Sequence, residues 1–472
     1  MVVSINPSIP ADSLVRKLKC APNHALHILS LLTHHHTKYD KMINLFKGHP
    51  SDDLFPEKEV LAAAASLLSR DRPEDDDDEN RHPLTYGPDQ GALYVRQLIA
   101  KWVTERELLE KTPIAANCIN LTCGASFGFA DILQSCTLPQ TGYTRRAFIV
   151  SPCYYLINSV FIDCGFKGKL TAIREDFGRL DLTKLEADLE KYSSEEGHEH
   201  EKSPLDVVGD ESRPTKKIYK FVFYFVPTFS NPGSAIIPLE DRVKLLELAR
   251  KYDMLIVSDD VYDFLEHSIE RENLPPRMVT LDRETVTSTH GNTVSNLSCS
   301  KLLGPGLRVG WQETATGALA LQLADSGASR SGGTPAHLNT MIVGEMIKLG
   351  LFDKVVNHLN KIYNARATVY KEALKKYLPE GTHIEGGDGG YFIWVTLDKV
   401  DARKMVELAK ERGLVLASGD KFEVNGDPQN WGKTSVRVSV SYTDADKALE
   451  GIKIWGGVCD DLIKWDEAID VC

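Results

Sequence analysis

A lysine set between two apolar stretches is costly to place unless something engages its ammonium group. Lys301 is such a lysine. It follows the apolar run Thr293 to Leu297 within Ser298-Cys299-Ser300-Lys301-Leu302-Leu303-Gly304-Pro305-Gly306-Leu307-Arg308-Val309-Gly310-Trp311. A lysine screened from water beside cationic neighbours loses its proton more readily and becomes a nucleophile. Four other segments place polar residues directly after an apolar run. Thr122-Cys123-Gly124-Ala125-Ser126-Phe127-Gly128 is a turn of small residues opening a helix, where free backbone N–H groups and the helix dipole favour a phosphate. A tight strand-to-helix turn without a ligand explains it equally well. Ser151-Pro152-Cys153-Tyr154-Tyr155 offers an aromatic face to a planar ligand, against the simpler role of core or interface packing. Pro227-Thr228-Phe229-Ser230-Asn231-Pro232-Gly233 presents an amide on a proline turn, or is only a turn. Ser258-Asp259-Asp260-Val261-Tyr262 brings a carboxylate to the mouth of a strand with a phenol three residues on, and helix capping by Asp competes with that role.

These residues need a scaffold that delivers them to one place. The runs Ile119 to Thr122, Ala147 to Val150, Phe221 to Val226, Met254 to Val257 and Thr293 to Leu297 each have about the length of a buried strand. Helical periodicity lies between them, as in Glu240 to Tyr252, where Leu245, Leu246 and Leu248 mix with Arg242, Lys244, Glu247 and Arg250. This alternation predicts an α/β fold with parallel strands covered by helices. In open sheets of that kind the ligand sits outside the carboxyl ends of the strands, where all five polar segments fall. The C-terminal third differs. A helical stretch from Leu351 to Tyr377 precedes apolar runs at Tyr391 to Leu397 and Val436 to Val440, which predicts a smaller α+β domain. Arg437 lies in the last run, where an arginine without a partner would be costly to bury; a structural salt bridge is its competing role.

The 472 residues are enough for two or three packed units. With 55 Lys+Arg against 67 Asp+Glu, the formal charge of −12 disfavours sequence-independent nucleic-acid binding. Nine cysteines without a CxxC pair indicate neither a disulfide framework nor a zinc ribbon, and no metal site is expected. No apolar stretch reaches the roughly 18 residues of a membrane span, and the start Met1-Val2-Val3-Ser4-Ile5-Asn6-Pro7 lacks a basic region and apolar core, so a cytoplasmic location is expected. His34-His35-His36 reads as solvent-facing histidines. The segments 71–81 and 193–217, rich in charge, read as solvated surface insertions.

Taken together, these segments resemble the pyridoxal 5′-phosphate enzymes of fold type I, specifically the class I/II aminotransferases close to the 2-aminoadipate and kynurenine aminotransferase group. The resemblance is ordered and nearly chain-long. It begins at Ile43-Asn44-Leu45-Phe46-Lys47-Gly48-His49-Pro50, passes Tyr86-Gly87-Pro88-Asp89-Gln90-Gly91, and ends at Val436-Arg437-Val438-Ser439. Its most specific part is the Ser-x-Ser-Lys-x-x-x-Pro-Gly-x-Arg-x-Gly pattern from Ser298 to Gly310. It implies a large domain (56–339) with a mostly parallel central sheet, and a smaller α+β domain built from 1–55 and 340–472. It implies pyridoxal 5′-phosphate as cofactor and transfer of an amino group between an L-amino acid and a 2-oxo acid by a ping-pong route. An alternative on the same cofactor is elimination, replacement or carbon–carbon bond formation of the aminocyclopropane-carboxylate-synthase type.

By that resemblance Lys301 binds the cofactor covalently and then shuttles a proton. Asp259, and not Asp260, pairs with the pyridine nitrogen, since neighbours along a strand point opposite ways. Tyr262 and Asn231 hydrogen-bond the phenolate oxygen, and Tyr154 stacks on the ring. Ala125, Ser126, Ser298 and Arg308 hold the phosphate, Ser300 also binds the cofactor, and Tyr86 reaches the phosphate of a neighbouring subunit, which implies a homodimer with shared sites. Arg437 clamps the substrate α-carboxylate, with Gly48 and Asn231 beside it. Two positions depart from the family's pattern: Asn231-Pro232 runs directly into Gly233, and Ala125 stands where relatives mostly carry Ser or Gly.

Overall fold

The computed structural model describes residues 42–71, 77–109, 111–194, 213 and 216–470. His34 to His36, Cys20, Cys472 and most of the segment 193–217 lie outside the described residues. The chain opens with a short strand, β1 (Ile43–Asn44), and continues into an eight-stranded sheet of β2 (Ile119–Thr122), β3 (Arg146–Ser151), β4 (Leu170–Asp176), β5 (Arg179–Leu180), β6 (Phe221–Phe225), β7 (Met254–Asp259), β8 (Thr293–Ser298) and β9 (Gly310–Thr314). The order across the sheet is β2-β9-β8-β7-β6-β3-β4-β5. β8, β7, β6, β3 and β4 pair in parallel, while β9 runs antiparallel between β2 and β8. Because β9 reverses between them, β2 shares the direction of β8. The carboxyl ends of β2, β3, β6, β7 and β8 therefore meet at one edge.

The five apolar runs form these strands because both faces are covered: every residue of β6, β7 and β8 is buried, β6 throughout and most of β7 being apolar while β8 buries Thr293, Ser295, Asn296 and Ser298 beside Val294 and Leu297. Three strands, β4, β5 and β9, are not among the five apolar runs. β9 escapes that pattern because Gln312 and Glu313 interrupt it. Both are buried yet satisfied, Gln312 by the Gly128 carbonyl at 3.0 Å and Glu313 by Arg277 at 2.6 Å and by Arg283.

The remaining strands are β10 (His383–Gly386), β11 (Phe392–Thr396), β12 (Leu414–Val415), β13 (Ala417–Ser418) and β14 (Ser435–Ser439). β10-β11-β14-β13 form a separate antiparallel sheet, and β12 pairs with β1. The predicted helix Leu351–Tyr377 is present over that same span and packs along Ala445–Asp470. The seven cysteines among the described residues are free thiols. No helix among those residues is long and apolar enough to cross a membrane.

Two expectations need correction. Arg242, read as part of the polar side of an amphipathic helix, is fully buried in Leu239–Lys251. It is satisfied by backbone instead of water: its guanidinium donates to the carbonyls of Ile237 (2.8 Å), Pro276 (3.0 Å) and Pro227 (2.9 Å) and to Thr228 Oγ1 (3.0 Å). The end of the acidic insertion is also more than solvated loop. Asn80 is buried, and its side-chain oxygen accepts from Tyr94 N at 2.9 Å, at the start of the helix Leu93–Arg106.

Candidate active site

A cavity of about 390 Å³ opens at the shared carboxyl edge of the sheet. It is lined by Gly48, Ala125, Ser126, Tyr154, Asn231, Asp259, Tyr262, Ser298, Ser300, Lys301, Arg308 and Arg437. The structure thus brings together every residue singled out from the sequence except Tyr86, which stands outside the cavity, 74% exposed. Tyr86 follows the acidic segment, and its carbonyl faces Arg81.

Each side chain is set there by a local cause. Gly124 ends the β2 turn at φ 103°, a conformation that a side chain would oppose, and it opens the helix Ala125–Cys136. No side chain among the described residues caps that helix start, and its first residues, Ala125 and Ser126, line the cavity, bringing the positive end of the dipole to it. A Cβ on Gly124 would come within 2.9 Å of Arg308 Nη2. Arg308 itself adopts a left-handed φ of 53° and is braced by the carbonyls of Pro305 (2.9 Å) and Cys123 (3.0 Å). Ser298 Oγ accepts from the Ser300 backbone N at 3.1 Å, tightening the turn that carries Lys301.

Lys301 donates to the Gly48 carbonyl at 3.2 Å, and Tyr391 Oη donates to the Lys301 carbonyl at 2.8 Å. Burial lowers the ammonium pKa to about 8, Arg437 pushes it the same way, and Asp259 opposes them. Asp259 ends β7 and is buried, and burial pushes its carboxyl up to about 7 against the hydrogen bond from Tyr224 and the charge of Lys301. Its Oδ1 has no partner among the described residues. The next residue turns away: Asp260 accepts from Ser258 Oγ at 2.8 Å and from Ser295 Oγ, which in turn accepts from Arg277. The chain beyond Asp260 is a turn, not a helix, so neither carboxylate serves as a helix cap.

Arg437 sits in β14 opposite Trp394 of β11. It donates to Asn231 Oδ1 at 2.7 Å and to the Phe46 carbonyl at 2.8 Å. Three rings surround its guanidinium, Phe392 at 4.1 Å, Phe422 at 4.8 Å and Phe46 at 5.0 Å. Its partners among the described residues are thus an amide, a carbonyl and aromatic faces, with no carboxylate, and burial lowers its pKa to about 10. Tyr262 is buried near Asn231 and its phenol pKa is raised by that burial. Sequence reasoning missed Tyr224, whose phenol donates to Asp259, and Arg242, which ties together Pro227, Thr228 and Ile237, the flanks of the loop bearing Asn231. It also missed the ring of Phe392 and Phe422 around Arg437.

Comparison with known proteins places this arrangement. The chain is 45% identical over 435 residues to an uncharacterised protein of Saccharomyces cerevisiae, covering 89% of this chain and 97% of that one. It is 26% identical to the 2-aminoadipate transaminase of Thermus thermophilus, covering 89% and 90% of the two chains. The crystal structure of Pyrococcus horikoshii kynurenine aminotransferase superposes with a TM-score of 0.70 at 25% identity, over 92% and 94% of the chains. The model of the family "Aminotransferase class I and II" matches residues 40–452, and with that span covering both sheets and the cavity between them, the chain belongs to this family of pyridoxal-phosphate transaminases.

Proposed function

We propose that the enzyme moves an amino group from an L-amino acid of aminoadipate, aromatic or broadly mixed type to a 2-oxo acid by a ping-pong route. The observation that carries this reading is the grouping in one cavity of a desolvated lysine, a buried carboxylate with an oxygen unpartnered among the described residues, and an arginine with no carboxylate partner among them.

The cofactor suits these residues. Asp259 Oδ1 is a buried acceptor waiting for a donor, as the protonated nitrogen of a pyridine ring would be. The uncapped helix start at Ala125 and Ser126, with Arg308 beside it, suits a phosphate. Ser298 and Ser300 line the same cavity and would serve that end, while Tyr154, Asn231 and Tyr262, also in its lining, would stand against the ring. When bound, pyridoxal phosphate supplies an aldehyde carbon that exchanges amino groups and a ring that accepts electron density.

The chain's own residues do the rest. With a pKa of about 8, Lys301 is uncharged in about one molecule in ten at pH 7, enough to act as a nucleophile through Nζ. The same Nζ, when free, would be the base that takes the proton from the substrate Cα and the acid that hands that proton on. Asp259, in its charged form, would pair with the ring nitrogen and keep a proton there. Arg437 offers two N–H groups to the α-carboxylate, exchanging its present acceptors for a charged one. Phe46, Tyr155, Leu156 and Phe392 make the wall against which a long side chain lies, with Lys47 and His49 beside it. That mixture supports substrates whose side chains are aromatic or end in a carboxylate.

An amino-donor panel with 2-oxoglutarate as acceptor tests the reading. Aromatic amino acids and 2-aminoadipate are expected to turn over, with parallel double-reciprocal lines as donor and acceptor are varied. Intersecting lines, or release of ammonia without an acceptor, would contradict it.

The geometry around this cavity carries two further expectations. Arg437→Lys is expected to raise KM and to lower kcat/KM roughly 10- to 100-fold for every donor, the loss of a bidentate charged hydrogen bond. Cofactor content and thermal stability should stay nearly unchanged; a variant that sheds cofactor or melts early with normal KM would assign Arg437 to structure. We also propose that a second copy of the chain supplies Tyr86, whose exposure outside its own cavity supports a shared site. Mixing Tyr86→Phe subunits with Lys301→Ala subunits should then recover part of the activity through one intact hybrid site. Absence of recovery after proven subunit exchange would argue for unshared sites.

A further inference from the structure

Tyr224 lies within β6, in a run of five buried residues, Phe221-Val222-Phe223-Tyr224-Phe225. Its place in the sheet is fixed on both sides, by Ile149 of β3 and by Val257 of β7. The ring is packed against Phe129, with centroids 5.0 Å apart, and lies 6.2 Å from Phe161. Such a cage holds a phenylalanine as well as a tyrosine, so packing alone gives the hydroxyl no purpose. That hydroxyl donates to Asp259 Oδ2 at 2.6 Å, a length typical of a hydroxyl bonded to a charged carboxylate. Its partner oxygen, Oδ1, has no donor among the described residues and belongs to a residue that lines the cavity.

We propose that Tyr224 is a positioning residue for the transamination reaction, its phenol fixing the Asp259 carboxylate by Oδ2 so that a charged Oδ1 is presented to the ring nitrogen. This rests on the reading of Asp259 given above. The surroundings explain why such help is needed. Burial and the adjacent Asp260 both disfavour charge on Asp259, and Lys301 is the cation that acts in its favour. The other titratable groups facing the pair are the phenols of Tyr154 and Tyr262 and the thiol of Cys153, none of which brings positive charge. The Tyr224 hydrogen bond therefore tips the carboxylate toward its ionised form near neutral pH.

The test uses the full chain stripped of cofactor and measures equilibrium binding of pyridoxamine 5′-phosphate, which cannot link to Lys301, between pH 6 and 8.5 by calorimetry. Tyr224→Phe should weaken binding about 10-fold or more at pH 7, as expected for loss of a hydrogen bond to a charged group. The acid side of its pH profile should move up by about one unit, since the carboxylate then ionises later. Asp259→Asn should weaken binding at least as much, and adding Tyr224→Phe to Asp259→Asn should cost nothing further. A Tyr224→Phe profile that matches the unsubstituted chain overturns the inference while leaving Asp259 in place. A loss of equal size in the Asp259→Asn background also overturns it, because the phenol would then act on the fold. Asp259→Asn binding as tightly as the unsubstituted chain would instead overturn the reading of Asp259 itself.

Discussion

Lys301→Ala is expected to lower kcat at least about 10⁴-fold, because on the proposed reading one side chain holds the cofactor and moves the substrate proton. The variant should remain folded: the Lys301 side chain donates one hydrogen bond, to the Gly48 carbonyl, while its backbone carbonyl keeps the bond from Tyr391. It should still take up pyridoxal phosphate through Arg308, the helix start at Ala125 and Asp259, but reversibly, so that dialysis removes it. Lys301→Arg should fail as badly, since a guanidinium keeps its proton at any working pH and cannot act as base or nucleophile. In the unsubstituted enzyme the pKa of about 8 makes cofactor uptake by the apoprotein faster as pH rises from 6 toward 8, where the neutral amine accumulates. A stopped-flow pH series measures it, and a flat profile would contradict the lowered pKa. Retention of more than a hundredth of kcat by Lys301→Ala would remove Lys301 from the chemistry.

Asp259→Asn carries the next largest effect. An amide cannot hold a proton on the ring nitrogen, and the loss of one partner of a buried charge pair costs about 3–5 kcal/mol. Turnover should fall about 10³-fold, with cofactor still attached to Lys301 when supplied in excess. Asp260→Asn should behave differently, because Asp260 faces Ser258, Ser295 and, through Ser295, Arg277. It is expected to lower the melting temperature with kcat largely kept. Steady-state kinetics beside thermal melts of both variants decide this, and an Asp260→Asn loss of turnover as severe as that of Asp259→Asn would reverse the assignment of the two carboxylates.

The contrast between these neighbours is legible in the amino-acid sequence, since a strand sends adjacent side chains to opposite faces and β7 runs to Asp259. Lys301 and Arg437 are legible for a related reason: a cation in an apolar run is conspicuous because its burial is expensive. Tyr224 is hidden by the opposite circumstance. A tyrosine among phenylalanines and valine in a fully buried strand leaves no period by which to assign a face, and the acceptor that gives it meaning lies 35 residues away. Arg242 is misread because helical spacing alone assigns a charged residue to water. The carbonyls that take it inward come from Pro227, Ile237 and Pro276, whose approach depends on the tertiary fold. Tyr86 marks another boundary: its side chain lies outside the cavity of its own chain, so its predicted role depends on a surface that one chain does not contain.

The central claim is that this cavity carries the cofactor on Lys301, and borohydride reduction of the loaded enzyme followed by digestion and mass mapping tests it most directly. The account predicts a reduced pyridoxyl adduct on the peptide containing Ser298 to Arg308, localised to Lys301 and absent from Lys301→Ala. An adduct on any other lysine, or one that persists in Lys301→Ala, would contradict it.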